Sequence, residues 1–244
     1  MTKRELRERT WDALARSGEA RFPFPPHGRI PNFKGAETAA DRLAARDEWQ
    51  AAEAIKANPD GPQLPARRRA LRAGKTVYMA VPRLRDDQPF LELDPERLTR
   101  DGIDTDDAAT VGGSSDHGVP IRPDAMPDID LILSGSVAVT ESGSRVGKGE
   151  GYADLEFALL REFDHVDGGT TVATTIHPMQ VVPDGFVDSD AHDVPLDLIA
   201  TPERVVETDV SERPTGIDWD TLPAAKREEI PVLARRYERE FGSD

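Results

Sequence analysis

Cysteine is missing from all 244 residues, which excludes disulfides, thiolate nucleophiles and zinc–thiolate centres. The histidines His27, His117, His165, His177 and His192 are scattered, with no H-E-x-x-H and no paired metal spacing, so no zinc site is expected. No apolar run approaches the roughly 20 residues of a membrane helix, and the charged opening Met1-Thr2-Lys3-Arg4-Glu5 lacks the apolar stretch of a leader. Trp11, Trp49 and Trp219 are too dispersed for a base-stacking platform. Together these gaps predict a cytoplasmic protein with no membrane and no nucleic acid among its partners.

Lysine is scarce, confined to Lys3, Lys34, Lys56, Lys75, Lys148 and Lys226, whereas arginine is plentiful and aspartate crowds the loops, as in Asp104-Thr105-Asp106-Asp107. The formal net charge is -15 and the pI about 4.8, which opposes nonspecific attraction to nucleic acid or anionic lipid. Such a surface stays hydrated where salt screens nearly all charge, and a halophilic source is expected from it. In this background each lysine stands out as a site candidate.

What the chain does have is Arg145-Val146-Gly147-Lys148-Gly149-Glu150-Gly151-Tyr152-Ala153-Asp154. Glycine at every second position lets backbone N–H groups approach an anion, with Lys148 as a point charge for phosphate. Asp154 follows, where a carboxylate can hold a divalent cation. The apolar run Ile129-Asp130-Leu131-Ile132-Leu133 precedes the turn, and Leu155, Leu159, Leu160 and Phe163 follow at helical spacing. A strand, a glycine turn and a helix aim a helix N-terminus at phosphate. The glycines match neither G-x-G-x-x-G nor a P-loop ending in Gly-Lys-Ser/Thr. A plain connecting loop is the competing reading of the spacing; Arg145 and Lys148, in so acidic a chain, favour an anion site.

The remaining pattern reads as alternating strands and helices. Helices are expected over residues 3–16, 36–57, 65–73 and 223–241, and strands over 76–81, 130–133, 137–140, 170–176, 180–182 and 196–200. Residues 22–31 are too rich in proline for regular structure, and residues 94–128 read as irregular surface with one short helix. The order predicts an α/β fold, a three-layer α/β/α arrangement around a mostly parallel sheet. Residues 1–208 form the expected α/β domain, and 209–244 a polar linker and terminal helix that docks on the body or on another subunit. Ser114-Ser115-Asp116-His117 reads as surface loop rather than a catalytic triad. His177 and Gln180, near the expected site, are either ligand contacts or satisfied strand-end residues.

These motifs resemble the 5-formyltetrahydrofolate cyclo-ligase (methenyltetrahydrofolate synthetase) family over most of the chain. Lys3-Arg4-Glu5-Leu6-Arg7 is similar to that family's Lys-x-x-Leu-Arg opening, and residues 145–154 to its Arg-Leu-Gly-x-Gly-x-Gly-Tyr-Tyr-Asp signature. Asp193-Val194-Pro195-Leu196-Asp197 is similar to its late aspartate-bearing strand. The resemblance implies a fold of the kind shared with ribose-phosphate isomerase and CoA-transferase domains, with ATP and Mg2+ as cofactors and a reduced folate as small-molecule substrate. It places Lys3, Arg7, Arg145, Gly147, Lys148, Gly149, Gly151 and Tyr152 around the nucleotide, with Lys148 and Arg145 in the catalytic roles, and Asp154 and Asp197 on magnesium. The implied reaction phosphorylates the formyl oxygen on N5; N10 then closes the ring, and phosphate leaves to give 5,10-methenyltetrahydrofolate.

Three departures stand beside the likeness. Tyr152-Ala153-Asp154-Leu155 replaces Tyr-Tyr-Asp-Arg, and Ser134-Gly135-Ser136-Val137 replaces a Pro-Gly-x-x-Phe-Asp segment. The substrate-binding glutamate expected about a dozen residues before Gly74 falls in Asp60-Gly61-Pro62-Gln63. Gly28-Arg29-Ile30-Pro31-Asn32-Phe33 and residues 147–156 look like a paralogous branch, whose animal members append an RNA-recognition domain and some of whose members have been tied to thiamine metabolism. The alternative is therefore a paralog that binds a nucleotide or phosphorylated metabolite, thiamine-related ones included, without closing a folate ring.

Overall fold

The computed structural model describes residues 1–210 and 212–242. Helix α1 (Lys3–Ser17) starts at a capping box in which Thr2 and Glu5 satisfy each other's backbone N–H groups. It is followed by α2 (Ala36–Ala44), α3 (Asp47–Ala51), β1 (Ala54–Ala57), α4 (Leu64–Arg72) and β2 (Thr76–Ala80). Next come β3 (Phe90–Leu93), α5 (Pro95–Arg100), α6 (Thr105–Ala108), α7 (Val111–His117), β4 (Val119–Ile121) and β5 (Leu131–Leu133). The hairpin β6 (Ala138–Thr140) and β7 (Arg145–Val146) leads through the glycines into α8 (Tyr152–Glu162). The chain finishes with β8 (Thr171–Thr175), β9 (Val181–Val182), β10 (Leu198–Ala200), β11 (Val205–Glu207), α9 (Ala224–Glu229) and α10 (Pro231–Phe241).

The main sheet has eight strands in the order β11-β10-β8-β5-β1-β2-β3-β4. Its central run, β10-β8-β5-β1-β2, is parallel throughout, and antiparallel β11, β3 and β4 finish the two edges. Side chains alternate between two buried layers. Ala54, Tyr78, Ile132, Val172 and Ile199 meet Phe157, Leu160 and Leu233 of α8 and α10. Ile55, Val77, Leu131, Ala173 and Leu198 meet Leu43, Ala66 and Leu71 of α2 and α4. A sheet covered on both faces is what a parallel arrangement demands, so the α/β expectation holds. A second, three-stranded sheet, β7-β6-β9, packs Ala138 and Val146 on Leu6 of α1.

Several sequence expectations need correction. Residues 36–57 are not one helix: α2 and α3 occupy the first part, and the last four residues are β1, the strand at the sheet's centre. Alanine favours a helix locally, but burial on both faces and ladders to β2 and β5 override that preference. Residues 94–128 hold three short helices and β4, capped by Asp94, Asp104 and Thr110, and Ser114-Ser115 lies on α7 rather than in a loop. The terminal helix breaks at Ile230-Pro231, and Ile230 and Leu233 are buried in the main core, so this end docks on the body.

Candidate functional site

A cleft of about 290 Å³ opens at the carboxyl ends of β1, β2 and β5, where parallel α/β sheets bind ligands. Its walls come from residues 58–60 after β1, 79–83 around the end of β2, Gly135 after β5, α7, and the turn 147–154.

The turn takes its shape from glycine. Gly149 has φ +107° and Gly151 φ +70°, values that other L-residues rarely adopt. A Cβ on Gly149 would lie 3.2 Å from the Arg7 guanidinium carbon, so the missing side chain also admits Arg7. Arg7 Nε donates to the Gly147 carbonyl at 2.7 Å, tying α1 to the turn. Lys148 lines the cleft mouth, 2.7 Å from Glu150. Gly151 caps α8 without a side-chain hydrogen bond. The first N–H groups of the helix therefore stay available to a ligand.

Behind the turn, Arg145 is almost wholly buried, pairs with Asp154 and donates to the Gly135 carbonyl at 3.0 Å. Asp154 Oδ1 also accepts the Val194 N–H at 3.0 Å. Burial pushes the Asp154 carboxyl up, but the charge and hydrogen bond of Arg145, with the Val194 N–H, outweigh it and hold the group below its ordinary value. Among the described residues Asp154 is thus an anion with its second oxygen uncommitted, and Arg145 Nε is buried without a partner, so the polar atoms here have bonding capacity left over.

The floor is a buried polar network. Glu156 of α8 accepts from Lys56 of β1 and, at 3.0 Å, from Asn58 Nδ2, while Asn58 Oδ1 accepts the Gly135 N–H at 3.0 Å. Arg67 of α4 donates to the carbonyls of Asn58 at 2.6 Å, Pro59 at 3.2 Å, Asp60 at 3.1 Å and Ala109 at 2.9 Å. Burial pushes Arg67 down to about 10, opposed by the Asp60 charge. These bonds fix the 58–60 loop and the place of Asp60. Burial pushes the Asp60 carboxyl up against the pull of Lys148, Arg67 and Lys56, with Glu156 adding to the rise. A Cβ on Gly135 would sit 2.8 Å from Asp60 Oδ2, 3.0 Å from Ile30 Cγ1 and 3.3 Å from Gln63 Oε1, so a side chain there would displace the Asp60 carboxyl. At the rim, Arg83 and Leu84 have φ +60° and +54°, two consecutive strained residues where β2 leaves the sheet.

The other sequence candidates lie as follows. Tyr152 lines the cleft beside the turn. Lys3 lies off the cleft walls, bound to Asp190 at 2.6 Å and to Asp193. Asp197 is not brought to Asp154. It precedes β10 rather than following it, accepts the Val172 N–H and pairs with Arg213, which also donates to Gly168 and Thr170 at the entry of β8. That is the amino end of the parallel strands, away from the cleft. Asp193, whose neighbour Val194 donates its N–H to Asp154, turns its own carboxyl to Lys3 and the Asp190 N–H, off the cleft walls. His177 caps a short turn and meets Phe33 edge-on, and Gln180 donates to the Ser136 and Val137 carbonyls; neither lines the cleft. Sequence reasoning missed Asn58, Glu156 and Arg67, and gave Lys56 no place beyond its rarity. The scarcity of lysine marks Lys56, whereas nothing in Arg67-Arg68-Arg69 singles out the first arginine.

Residues 1–202 match the 5-formyltetrahydrofolate cyclo-ligase family. The chain belongs to that family. A cyclo-ligase relative, "Methenyltetrahydrofolate synthase domain-containing protein" of Mus musculus, is 42% identical over 243 residues, covering 98% of this chain and 64% of its own length. The Bos taurus protein of the same description is 38% identical over 249 residues, covering 100% of this chain and 64% of its own length. The chain thus spans 64% of the length of these curated relatives. The solved NMR structure of Aquifex aeolicus 5,10-methenyltetrahydrofolate synthetase is similar with a TM-score of 0.52 at 17% identity, covering 86% of this chain and 94% of that one, a likeness of fold. Among the described residues no helix is long and apolar enough to cross a membrane.

Proposed function

We propose that the protein is an ATP- and Mg2+-dependent cyclo-ligase converting 5-formyltetrahydrofolate to 5,10-methenyltetrahydrofolate. The observation that carries this reading is the joining of three features in one cleft: the glycine turn laid on Arg7, the cation Lys148 at the mouth, and the carboxyl groups of Asp60 and Glu156 on the floor. Amides of residues 147–154 with Lys148 and Arg7 suit a polyphosphate, by hydrogen bond and by charge. Asp154, rather than Asp197, suits magnesium, which when bound would neutralise phosphate charge. Arg145 orients Asp154, while Asp60 and Glu156 offer acceptors to N–H groups of a heterocycle. Positioning and charge neutralisation are the protein's work in such a transfer, and no protein nucleophile is required.

The assay is formation of the methenyl product from 5-formyltetrahydrofolate, ATP and magnesium at a salt concentration where the chain is folded. Turnover lost in Lys148→Ala supports the reading; no turnover by the folded wild type sinks it. Tight ATP binding without turnover would instead favour the second reading, a paralog acting on another phosphorylated metabolite. The observation favouring that reading is the altered segment Asp60-Gly61-Pro62-Gln63, where the family resemblance expects a glutamate.

A further inference from the structure

The family match ends at residue 202, yet the chain beyond it returns to the glycine turn. Ile217 donates its N–H to Glu162 at 3.0 Å, and Ile230, Val232 and Leu233 bury themselves in the core that contains Leu155 and Leu159 of α8. This path holds α9 over the start of α8. Lys226 Nζ donates to the Glu150 carbonyl at 2.5 Å and lies 4.5 Å from the centre of the Tyr152 ring. A Cβ on Gly151 would be 3.6 Å from it. Gly151 and Asp154 face the main cleft on one side and, on the other, a smaller cavity of about 130 Å³ that Lys226 lines.

The position is electrostatically costly for an ammonium group. It lies at the positive end of the α8 dipole, whose first N–H groups have no side-chain cap. Among the described residues no carboxylate lies within ion-pair distance of Lys226, because Glu150 is taken by Lys148 and Asp154 by Arg145. Burial pushes its pKa down against the more distant Glu150, Asp154 and Glu229. A partly buried cation held against a helix's positive end is stabilised when an anion joins it.

We propose that Lys226 is an anion-binding residue of the glycine turn, delivered by a C-terminal segment outside the family-matched region, and that it grips a phosphate group together with the first amides of α8. The proposal rests on the anion-binding reading of the turn. Titration of the full chain with inorganic tripolyphosphate and with ATP, for wild type, Lys226→Met and Lys226→Arg, tests it. Lys226→Met is expected to weaken tripolyphosphate by about 10-fold, equivalent to about 1.4 kcal/mol, with Lys226→Arg restoring most of the loss. The ligand-free variant loses the bond to the Glu150 carbonyl and the contact with the Tyr152 ring, so each titration is made where that variant is folded. Unchanged affinity in Lys226→Met, or equal loss in Lys226→Arg, overturns the role of Lys226 while leaving the turn intact. Wild type that binds neither ligand removes the anion site, and the proposed function with it.

Discussion

Replacing Lys56 by methionine tests whether the cleft floor is an obligate ion pair. The Lys56 and Glu156 side chains are 1% and 6% exposed, so the variant leaves a carboxylate facing the sheet with Asn58 as its remaining polar contact. Methionine matches the lysine stem in volume, so no cavity masks the electrostatic effect. Breaking a buried pair from one side costs about 3–5 kcal/mol. At roughly 2–4 °C per kcal/mol for a chain of this size, the melting temperature should drop by on the order of 10 °C. Urea unfolding of wild type, Lys56→Met, Glu156→Gln and the double variant should give a double variant clearly more stable than the sum of the singles implies.

Salt separates this loss from surface effects. A buried pair is screened little, so the Lys56→Met deficit should hold from moderate to molar salt, whereas repulsion among exposed acids fades. A variant within about 1 kcal/mol of wild type at every salt concentration would refute the reasoning, because the charge would then have found water or another partner.

Gly149→Ala forces an unfavourable φ and presses a methyl group on Arg7, so it should cost about 1–2 kcal/mol by urea unfolding and weaken ATP in a binding titration; equal affinity counts against the turn as phosphate site. Asp60→Asn should be more stable than wild type at neutral pH. Burial raises the folded pKa of Asp60, so wild type loses stability as pH climbs from the unfolded value near 3.9 through the raised folded value, and the difference between melting curves should open across that window; parallel curves argue otherwise. With a net charge of -15, melting temperature should climb with added potassium chloride, and a flat response would remove the halophilic reading.

Local signals made the glycine turn legible: unusual φ values need glycine, and α8 announces itself by an apolar stripe. The fold class was legible from alternating strand and helix patterns. What escaped were elements fixed by distant partners. β1 is alanine-rich and becomes a strand through ladders to β2 and β5 and through Asp130, which accepts the N–H groups of Glu53 and Ala54. The aspartates at 193 and 197 share one short motif, and only the fold tells that Asp193 meets Lys3 while Asp197 sits at the amino end of the parallel strands. Arg67 differs from Arg68 and Arg69 by facing the carbonyls of a loop that forms only after α4 docks.

Charge is sorted along the cleft, and the sorting constrains any ligand. Arg7 and Lys148 meet at the glycine turn, with Lys226 behind it, while Asp60 and Glu156 lie deeper, held by Arg67, Asn58 and Lys56. A molecule carrying negative charge at one end and N–H donors at the other therefore has one favourable orientation, phosphate toward the turn and heterocycle toward the floor. Reversal would set phosphate against two carboxyl groups and leave three cations unmatched. The glutamate the family resemblance expects falls in Asp60-Gly61-Pro62-Gln63, and Arg67 fixes the carbonyls that position the one carboxyl of that segment, Asp60. If the cleft takes a folate ring, it is this carboxyl end, more than the phosphate end, that has to tell it from another heterocycle.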